Sequence, residues 1–173
     1  MDSFSGDGED AGMISIRSAD DGDSDAIWAI LEPVIRAGDV YALPADMTRA
    51  QALEYWFAAG NRVFVAEQDG VILGSYYLRA NQRGGGSHVA NCGYVTAGWA
   101  QGRGVAGAMC AHSLEFARSA GFRAMQFNFV VSTNEPAVHL WRKHGFEVVG
   151  RLPGAFEHPT QGFVDALVMW REL

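Results

Sequence analysis

The sequence predicts a single domain of the α/β class, more narrowly α+β, with about seven strands and about four helices. Its 173 residues are 49% hydrophobic, which is enough to bury one compact core. Stretches with strand and helix periodicity follow one another in the order βααββ, βα, βα, ββ. The hairpin-linked strands in the first half of the chain indicate antiparallel pairing, which argues against a doubly wound parallel sheet.

The first twelve residues differ in composition from the rest of the chain. Asp2, Asp7, Glu9 and Asp10 lie in this stretch, which contains no Lys or Arg, so it supplies four of the seven net negative charges. Because it is also almost free of apolar residues, it can neither bury a face nor act as a signal peptide. We therefore predict a flexible acidic tail at residues 1–12 and one folded domain at residues 13–173.

The first half of the domain is predicted as strand, helix, helix and hairpin. A strand at residues 13–17 precedes a helix that begins near Asp23, where the segment DSDAIWAILEPVI repeats apolar residues at helical spacing. The loop GDVYALPADMT then leads to Thr48, which caps a second helix that ends at Gly60. Two strands follow around the Asp69-Gly70 turn, a dipeptide typical of β-hairpins.

The second half of the domain alternates strands and helices. A strand at residues 87–97 leads through a glycine-rich turn into a helix that ends near Ala120, before Gly121. The strand AMQFNFVV and a helix that begins near Asn134 come next. The strands FEVVGRL and FVDALVMW close the domain, and the segment PGAFEHPTQG between them is predicted as a loop.

Charge and composition argue against several classes of protein. No stripe of Lys and Arg could follow a phosphate backbone, so we expect no nucleic-acid partner. No apolar run reaches the roughly 18 residues that span a bilayer, and we expect a cytoplasmic protein without membrane contact. Cys92 and Cys110 form neither a disulfide framework nor a metal set. His139 and His144 are five positions apart on different faces of a helix, so we expect no metal site.

The segment GYVTAGWAQGRGVAGAMC contains the spacing GxGxxG at Gly102, Gly104 and Gly107. A dinucleotide site would need an acidic residue about 20 positions later, at the end of the next strand, and that strand has none. A Walker loop would need a Lys-Ser or Lys-Thr pair after the last glycine, which is also missing. The remaining interpretation is a diphosphate bound by free N–H groups at a helix N-terminus.

Two motifs together indicate a family. The turn from Gln101 to Ala106 matches QxxGxA, the coenzyme A diphosphate motif of the GNAT superfamily of N-acetyltransferases. A second superfamily motif, NxxAxxLxxxxGF, follows the next strand at Asn134, Ala137, Leu140, Gly145 and Phe146. On these motifs the chain resembles the GNAT superfamily over about residues 13–173.

The resemblance implies a fold and a co-substrate. The fold is a mixed, mostly antiparallel sheet in which strands four and five run parallel and splay apart, leaving room for the pantetheine arm. The co-substrate is acetyl-CoA, without a metal, and a main-chain N–H of Tyr94 or Val95 polarises the thioester carbonyl. The residues implied to bind coenzyme A are Tyr94, Val95, Thr96, Gln101, Gly102, Arg103, Gly104, Val105, Ala106, Asn134, Ala137 and Trp141.

A narrower resemblance is carried by the segments HVANCGYV, FNFVVSTNEPAVHLW and GRLPGAFEHPTQGFVDALVM. They are similar to fungal N-acetyltransferases that acetylate toxic proline analogues such as azetidine-2-carboxylate, and to bacterial relatives of those enzymes. This resemblance implies acetyl transfer to a small-molecule amine, and a homodimer. Asn91, Asn128 and Asn134 fall where that group has functional asparagines. The candidate catalytic residues are Asn91, Asn128 and Tyr94, and the candidate acceptor-binding residues are Tyr41, Asn91, Asn128, Phe156 and His158.

Several roles have alternatives at this point. Asn134 is a helix N-cap, a coenzyme contact or both, and the amide of Asn128 inside the apolar run FNFVV needs polar partners. Trp141 replaces the tyrosine that protonates the thiolate in many relatives, and the fourth strand lacks the carboxylate that often acts as base. Candidates for the base are Glu67, Glu157 and His158, beside water or a main-chain carbonyl. The alternative functions are an acyl-CoA-binding sensor without turnover and an NAD-dependent reductase.

Overall fold

The computed structural model describes residues 12–173, and these form one sheet of seven strands with four helices, which confirms the predicted fold class. The strands are β1 (Ser15–Ser18), β2 (Arg62–Gln68), β3 (Val71–Ala80), β4 (Val89–Thr96), β5 (Ala124–Val131), β6 (Glu147–His158) and β7 (Gly162–Glu172). The helices are α1 (Ser24–Ala37), α2 (Arg49–Trp56), α3 (Val105–Ser119) and α4 (Glu135–Lys143). Except for Gly12, the predicted acidic tail lies outside the described residues.

Neighbouring strands in the sheet follow the order β1-β2-β3-β4-β5-β7-β6. All neighbours pair antiparallel except β4 and β5, so the sheet is not the doubly wound parallel sheet of a dinucleotide-binding domain. β4 and β5 pair only where Val89 lies beside Ala124 and Ala90 beside Met125. Beyond Met125 the two strands separate, as the resemblance implied.

The helices cover both faces of the sheet. The Trp56 indole N–H of α2 donates to Ser75 Oγ at 3.0 Å, whereas the hydroxyl of Tyr76, the next residue of β3, is 2.7 Å from His112 Nδ1 of α3. Successive strand residues point to opposite faces, so α2 and α3 lie on opposite sides of β3. α1 packs against α2, and both α1 and α3 contact β4. The gap between β4 and β5 therefore has a helix beside it on each face.

Two local sequence signals act as predicted. The Thr48 hydroxyl accepts from the Gln51 N–H at 3.3 Å, and Gln51 Oε1 accepts from the Thr48 N–H at 2.9 Å, which forms a capping box at the start of α2. Asp69 and Gly70 have φ of 51° and 78°, as a two-residue hairpin turn requires. α2 ends earlier than predicted, at Trp56.

The segment PGAFEHPTQG is not the predicted loop. β6 continues to His158 and pairs with β7 along this segment. A register shift between Leu152 and Phe156 absorbs Pro153, which the edge strand tolerates because no further strand needs its missing N–H. The loop prediction is therefore wrong, because pairing with β7 overrides the turn signals of Pro and Gly.

Two further observations concern the predicted classes of function. Among residues 12–173, none of the helices combines the length and the hydropathy of a bilayer-spanning segment. Cys92 and Cys110 are free and buried. Burial raises the pKa of the Cys110 thiol to about 12 and also raises the pKa of the Cys92 thiol. Neither sulfur is a thiolate at neutral pH, which argues against thiol catalysis.

Candidate active site

A cavity of about 870 Å³ opens where β4 and β5 separate. One end, here called the turn end, is lined by Gln101, Gly102, residues 104–107 and the start of α4. The other end, here called the aromatic end, is lined by Tyr41, Tyr55, Tyr77, Arg79 and Asn91. One continuous cavity therefore joins the glycine-rich turn to Tyr41 and Asn91, two of the predicted acceptor residues.

The turn end presents main-chain N–H groups that are free to bind a ligand. Gly102 and Gly104 have φ of 77° and 82°, in the left-handed region where a side chain would be strained. α3 starts directly afterwards, and no side chain of the described residues caps it. The N–H groups of its first residues, Val105, Ala106 and Gly107, therefore lack helical partners and lie at the positive end of the helix dipole. Such a helix end binds phosphate groups.

Arg103 lies beside this turn but does not line the cavity. Its guanidinium donates to Gln68 Oε1 at 3.0 Å, and its Cζ atom is 5.9 Å from the centre of the Trp99 ring. The charge of an exposed guanidinium is screened by water and salt. The main chain of the turn is thus the stronger candidate for binding an anion.

The gap between the strands leaves one edge of the β4 main chain without a strand partner. The Ala97 N–H donates to Leu73 O at 2.8 Å, which directs the main-chain groups of odd-numbered residues of β4 toward β3. Main-chain groups alternate in direction along a strand, so those of Tyr94 and Thr96 face the gap. Of the two N–H groups predicted to polarise a thioester, that of Tyr94 faces the gap and that of Val95 faces β3.

Tyr41 connects the aromatic end to this edge of β4. Its hydroxyl donates to the main-chain carbonyl of Tyr94. The Tyr94 side chain points toward α3, where its hydroxyl is 2.6 Å from Ser113 Oγ. Burial raises the pKa of both phenols well above the usual tyrosine range. Both phenols stay neutral at physiological pH, and Tyr94 faces the gap with its main chain rather than its hydroxyl.

Asn91 bridges the two strands at the point where their pairing ends. It is 7% exposed, and its Nδ2 donates to the main-chain carbonyl of Gln126 in β5 at 3.0 Å. Its Oδ1 accepts no hydrogen bond from the described residues and is not sealed from the cavity that Asn91 lines. This oxygen is therefore available to accept a hydrogen bond from a ligand N–H.

Asn128 lines the cavity but is exposed, so the expected burial within FNFVV is wrong. The pairing of β5 with β7 shifts between Phe127 and Val130. Asn128 still contacts Gln126, two positions earlier, so it follows the normal alternation and lies on the face opposite Phe127. Its Nδ2 donates to Asn81 Oδ1 at 2.6 Å, and its Oδ1 accepts from Gln126 Nε2 at 3.0 Å. These two amides are the polar partners that the sequence predicted.

Asn134 lies immediately before α4, but its side chain makes no capping hydrogen bond. Asn134 therefore occupies the N-cap position, as predicted, and its carbonyl accepts from the Val138 N–H at 3.1 Å, but its side chain does not cap the helix. Asn134, Ala137 and Trp141 instead line the cavity. The Trp141 ring centroid is 4.9 Å from those of Tyr94 and Phe127, which places the indole beside the gap.

Two predicted acceptor-binding residues lie outside the cavity lining. Phe156 is buried in β6 and packs against Phe129, with ring centroids 6.3 Å apart. His158 lies at the turn between β6 and β7, where its Nδ1 accepts from the N–H groups of Thr160 and Gln161 at 3.2 Å. Both residues lie away from the cavity because β6 extends through the segment that was predicted as a loop.

The candidate bases also lie outside the cavity lining. Glu67 forms a 2.9 Å ion pair with Arg17, and Glu157 is exposed in β6. No Asp or Glu of residues 12–173 lines the cavity, whereas Arg79, His139 and Lys143 do. The part of the cavity wall formed by residues 12–173 thus carries no carboxylate, although the chain has a formal charge of −7.

The aromatic end is completed by Tyr55, Tyr77 and Arg79, which are not among the residues that the sequence predicts for the site. The hydroxyls of Tyr55 and Tyr77 are 3.2 Å apart, and Arg79 Cζ is 5.8 Å from the centre of the Tyr77 ring. The strand register places Tyr77 opposite Gly93, where an added Cβ would lie 2.5 Å from the tyrosine ring, and Arg79 opposite Asn91. The alternation of Tyr77 and Arg79 in β3 was a usable signal, but only with this register in hand.

A sequence model described as Acetyltransferase (GNAT) family matches residues 28–146, which is more than half of the chain. The chain belongs to the GNAT acetyltransferase family. The matched region includes both motifs on which the resemblance depended, so the GNAT prediction is confirmed.

Known proteins similar to this GNAT chain agree with the assignment. A GCN5-related N-acetyltransferase from Kribbella flavida is 41% identical, with a TM-score of 0.88, over 92% of this chain and 98% of that one. The N-acetyltransferase aca1 of Schizosaccharomyces pombe is 26% identical, over 78% of this chain and 72% of the relative. The protein yncA of Salmonella typhimurium, whose structure contains acetyl-CoA, shares the fold at 22% identity and a TM-score of 0.81, over 93% and 94% of the two chains. The first two relatives support N-acetyltransferase activity for this GNAT chain.

Proposed function

We propose that this GNAT enzyme transfers the acetyl group of acetyl-CoA to the amine of a small amino-acid-like molecule, with proline analogues as the first candidates. The observation that carries the proposal is the continuous cavity from the free N–H groups at the start of α3 to Asn91 Oδ1. An elongated acyl donor held at the turn end would place its acyl group near an acceptor at the aromatic end. The acetyl-CoA in the structure of Salmonella yncA supports this choice of donor.

The turn end and the edge of β4 fit the parts of acetyl-CoA, which supplies the acetyl group as a thioester. The N–H groups at the start of α3, after Gly104, would bind the diphosphate. The main-chain groups of Thr96, which face the gap, would bond to the pantetheine amides, and Asn134 would contact the donor from α4. The Tyr94 N–H is the donor that would stabilise negative charge on the carbonyl oxygen of the thioester.

The aromatic end fits an amino-acid-like acceptor. Asn91 Oδ1 would accept a hydrogen bond from the amine, and Tyr41 and Asn128 would help to orient the acceptor. Arg79 gives this end a positive charge, and no carboxylate of the described lining opposes it. Because Arg79 lines the cavity, its guanidinium would pair directly with the carboxylate of an amino-acid-like acceptor, a group that a polyamine lacks. Phe156 would affect acceptor binding only indirectly, through its contact with Phe129, which lines the cavity.

Positioning, rather than strong acid–base catalysis, would supply most of the rate enhancement. The acceptor amine, with a pKa of about 10, must lose a proton before it attacks. Since no Asp or Glu of the described residues lines the cavity, bulk water would take that proton before the neutral amine enters. Water in the open cavity would take the second proton, which the nitrogen loses after it attacks the thioester. The indole N–H of Trp141 is not an acid at neutral pH, so solvent would protonate the departing thiolate. The main contributions to the rate are then the proximity of the amine to the thioester and the hydrogen bond from the Tyr94 N–H.

A thiol-release assay with acetyl-CoA tests the proposed function. The amine panel contains azetidine-2-carboxylate, other proline analogues, methionine sulfoximine, polyamines and peptides with free N-termini. We expect thiol release with the amino-acid analogues and little with polyamines. If only polyamines or peptides react, the proposed acceptor class is wrong although acetyl transfer stands.

The second candidate function is an acyl-CoA-binding sensor. The observations that favour it are Trp141 at the usual tyrosine position and the lack of a carboxylate in the described cavity lining. Calorimetric titration with acetyl-CoA distinguishes the two functions when it is combined with the assay. Tight binding without thiol release for any amine in the panel would replace the enzyme proposal with the sensor.

We also propose that the enzyme is a homodimer that associates through β6 and β7. β6 is an edge strand of the sheet, and Val149, Leu152 and Phe163 are 59%, 40% and 74% exposed on these two strands. Exposed apolar side chains along a strand edge are a frequent contact between copies of a chain. Sedimentation velocity should give a dimer that Phe163→Lys weakens, and a monomeric unmodified chain would contradict the proposal.

A further inference from the structure

A series of hydrogen-bonded amide residues crosses the aromatic end and continues beyond it. Asn91 Nδ2 donates to the main-chain oxygen of Gln126 at 3.0 Å, and Gln126 Nε2 donates to Asn128 Oδ1 at 3.0 Å. Asn128 Nδ2 then donates to Asn81 Oδ1 at 2.6 Å. Asn81 lies directly after β3 and does not line the cavity. Asn81 is the last amide in this series of hydrogen bonds, although neither GNAT motif includes it.

The two hydrogen bonds of Asn128 determine how its amide is oriented. Gln126 binds the oxygen of the amide and Asn81 binds its nitrogen, so a reversal of the amide would break both bonds. One N–H of Nδ2 and one lone pair of Oδ1 remain for a molecule in the cavity. Because Asn128 is exposed, loss of Asn81 would leave its side chain with one bond and with other rotamers open to it.

Asn81 is itself held in place relative to β4. Its main-chain N–H donates to the Val89 carbonyl at 2.8 Å, where the connection from β3 joins β4. Within that connection the Gly86 N–H donates to Arg83 O at 3.1 Å, and the Ser87 N–H donates to Gly84 O at 3.1 Å. A side chain attached to this hydrogen-bonded turn is a fixed support for Asn128.

We propose that Asn81 is a positioning residue for acetyl transfer, which orients Asn128 toward the acceptor. The inference rests on the proposed function. Asn81 acts only through Asn128 and contacts neither the acyl donor nor the acceptor. The part of Asn81 that matters is its side-chain oxygen, because Asn128 Nδ2 is the donor of the bond between them.

A double-mutant cycle tests this role, with kcat/KM measured for the most reactive amine of the panel. Asn81→Ala should lower kcat/KM about fivefold, the effect of one neutral hydrogen bond, with KM for acetyl-CoA and the thermal midpoint unchanged. In the Asn128→Ala background the same substitution should have no further effect, because its only partner is gone. Asn81→Asp keeps the accepting oxygen and should recover most of the lost kcat/KM.

Gln82→Ala is the matched control. Gln82 is the exposed neighbour of Asn81 in the same connection, and its side chain makes no hydrogen bond to the described residues, so kcat/KM should not change. The inference would be overturned if Asn81→Ala lowered kcat/KM equally in the unmodified and the Asn128→Ala backgrounds. It would also be overturned if Asn81→Asp were as slow as Asn81→Ala. Either result would leave acetyl transfer intact. Failure of the unmodified chain to acetylate any panel amine would overturn the proposed function, and this inference with it.

Discussion

The two ends of the cavity are built from different parts of the chain. At the turn end, main-chain N–H groups face the cavity because Gly104 has a positive φ and no side chain caps α3. At the aromatic end, side chains face the cavity, and hydrogen bonds to Gln126 and Asn81 hold Asn91 and Asn128. The turn end therefore depends on backbone conformation, and the aromatic end on side-chain identity.

This difference indicates how each end contributes to specificity. A helix N-terminus binds a diphosphate through groups that every residue carries, so side-chain replacements change it little while the backbone keeps its shape. Side-chain amides and phenols discriminate between ligands through particular donors and acceptors, so single substitutions change what they bind. We expect the turn end to serve the acyl donor and the aromatic end to select the acceptor.

A change of pH should separate the two ends most strongly. Between pH 7 and pH 9, kcat/KM for the acceptor should rise about tenfold per pH unit, because the neutral fraction of an amine of pKa about 10 rises at that rate. Burial raises the pKa of the Tyr41 and Tyr94 phenols, so these groups stay neutral and do not titrate in this range. KM for acetyl-CoA should stay constant in the same steady-state measurements. A plateau at a pH that does not follow the pKa of the acceptor would indicate a base on the protein.

Gly104→Val should have the next largest effect, and it should act on the turn end. Valine is strained at a φ of 82°, so the turn must change shape or store about 2 kcal/mol of strain. We expect KM for acetyl-CoA to rise about thirtyfold, because a loss of about 2 kcal/mol of binding free energy corresponds to that factor. Gly121→Val is the matched control, because Gly121 has a φ of 91° with open space around it and follows the far end of α3. A similar rise of KM in both variants would show that instability is the cause.

Asn91→Ala should act on the aromatic end alone. Loss of the Oδ1 acceptor should lower kcat/KM for the acceptor about tenfold, while KM for acetyl-CoA stays within about twofold of the unmodified value. The lost bond to Gln126 should also lower the free energy of unfolding by about 1 kcal/mol, which chemical denaturation measures. An equal effect on both substrates would contradict the separation of the two ends.

Arg103→Ala should have the smallest effect, although its side chain lies beside the turn. The guanidinium stacks on Trp99 outside the cavity lining and is exposed, so its field at the turn is screened. We expect KM for acetyl-CoA to rise less than about threefold at low ionic strength. In about 0.5 M salt, which is enough to screen exposed charges, KM should not rise at all. A large rise that persists in high salt would show that a side chain, rather than the main chain, binds the diphosphate.

The elements that the sequence predicted well follow local rules. The run AMQFNFVV coincides with β5, and Asp69-Gly70 forms the predicted hairpin turn. The extent of β6 was predicted wrongly, because Pro153 and its glycine neighbours resemble a loop until pairing with β7 is considered. The exposure of Asn128 was missed for the same kind of reason, since it depends on where β5 separates from β4.

By itself the sequence determined the order of the elements, the family motifs and the glycine-rich turn before α3, because glycine dihedrals, helix starts and apolar periodicity depend on near neighbours in the chain. Only the tertiary structure decided which side chains share the aromatic end. Tyr41 comes from the loop after α1, Tyr55 from α2, Arg79 from β3 and Asn91 from β4. Contacts among such distant segments depend on packing and strand register, and a shift of one residue in register would turn these strand side chains to the opposite face of the sheet.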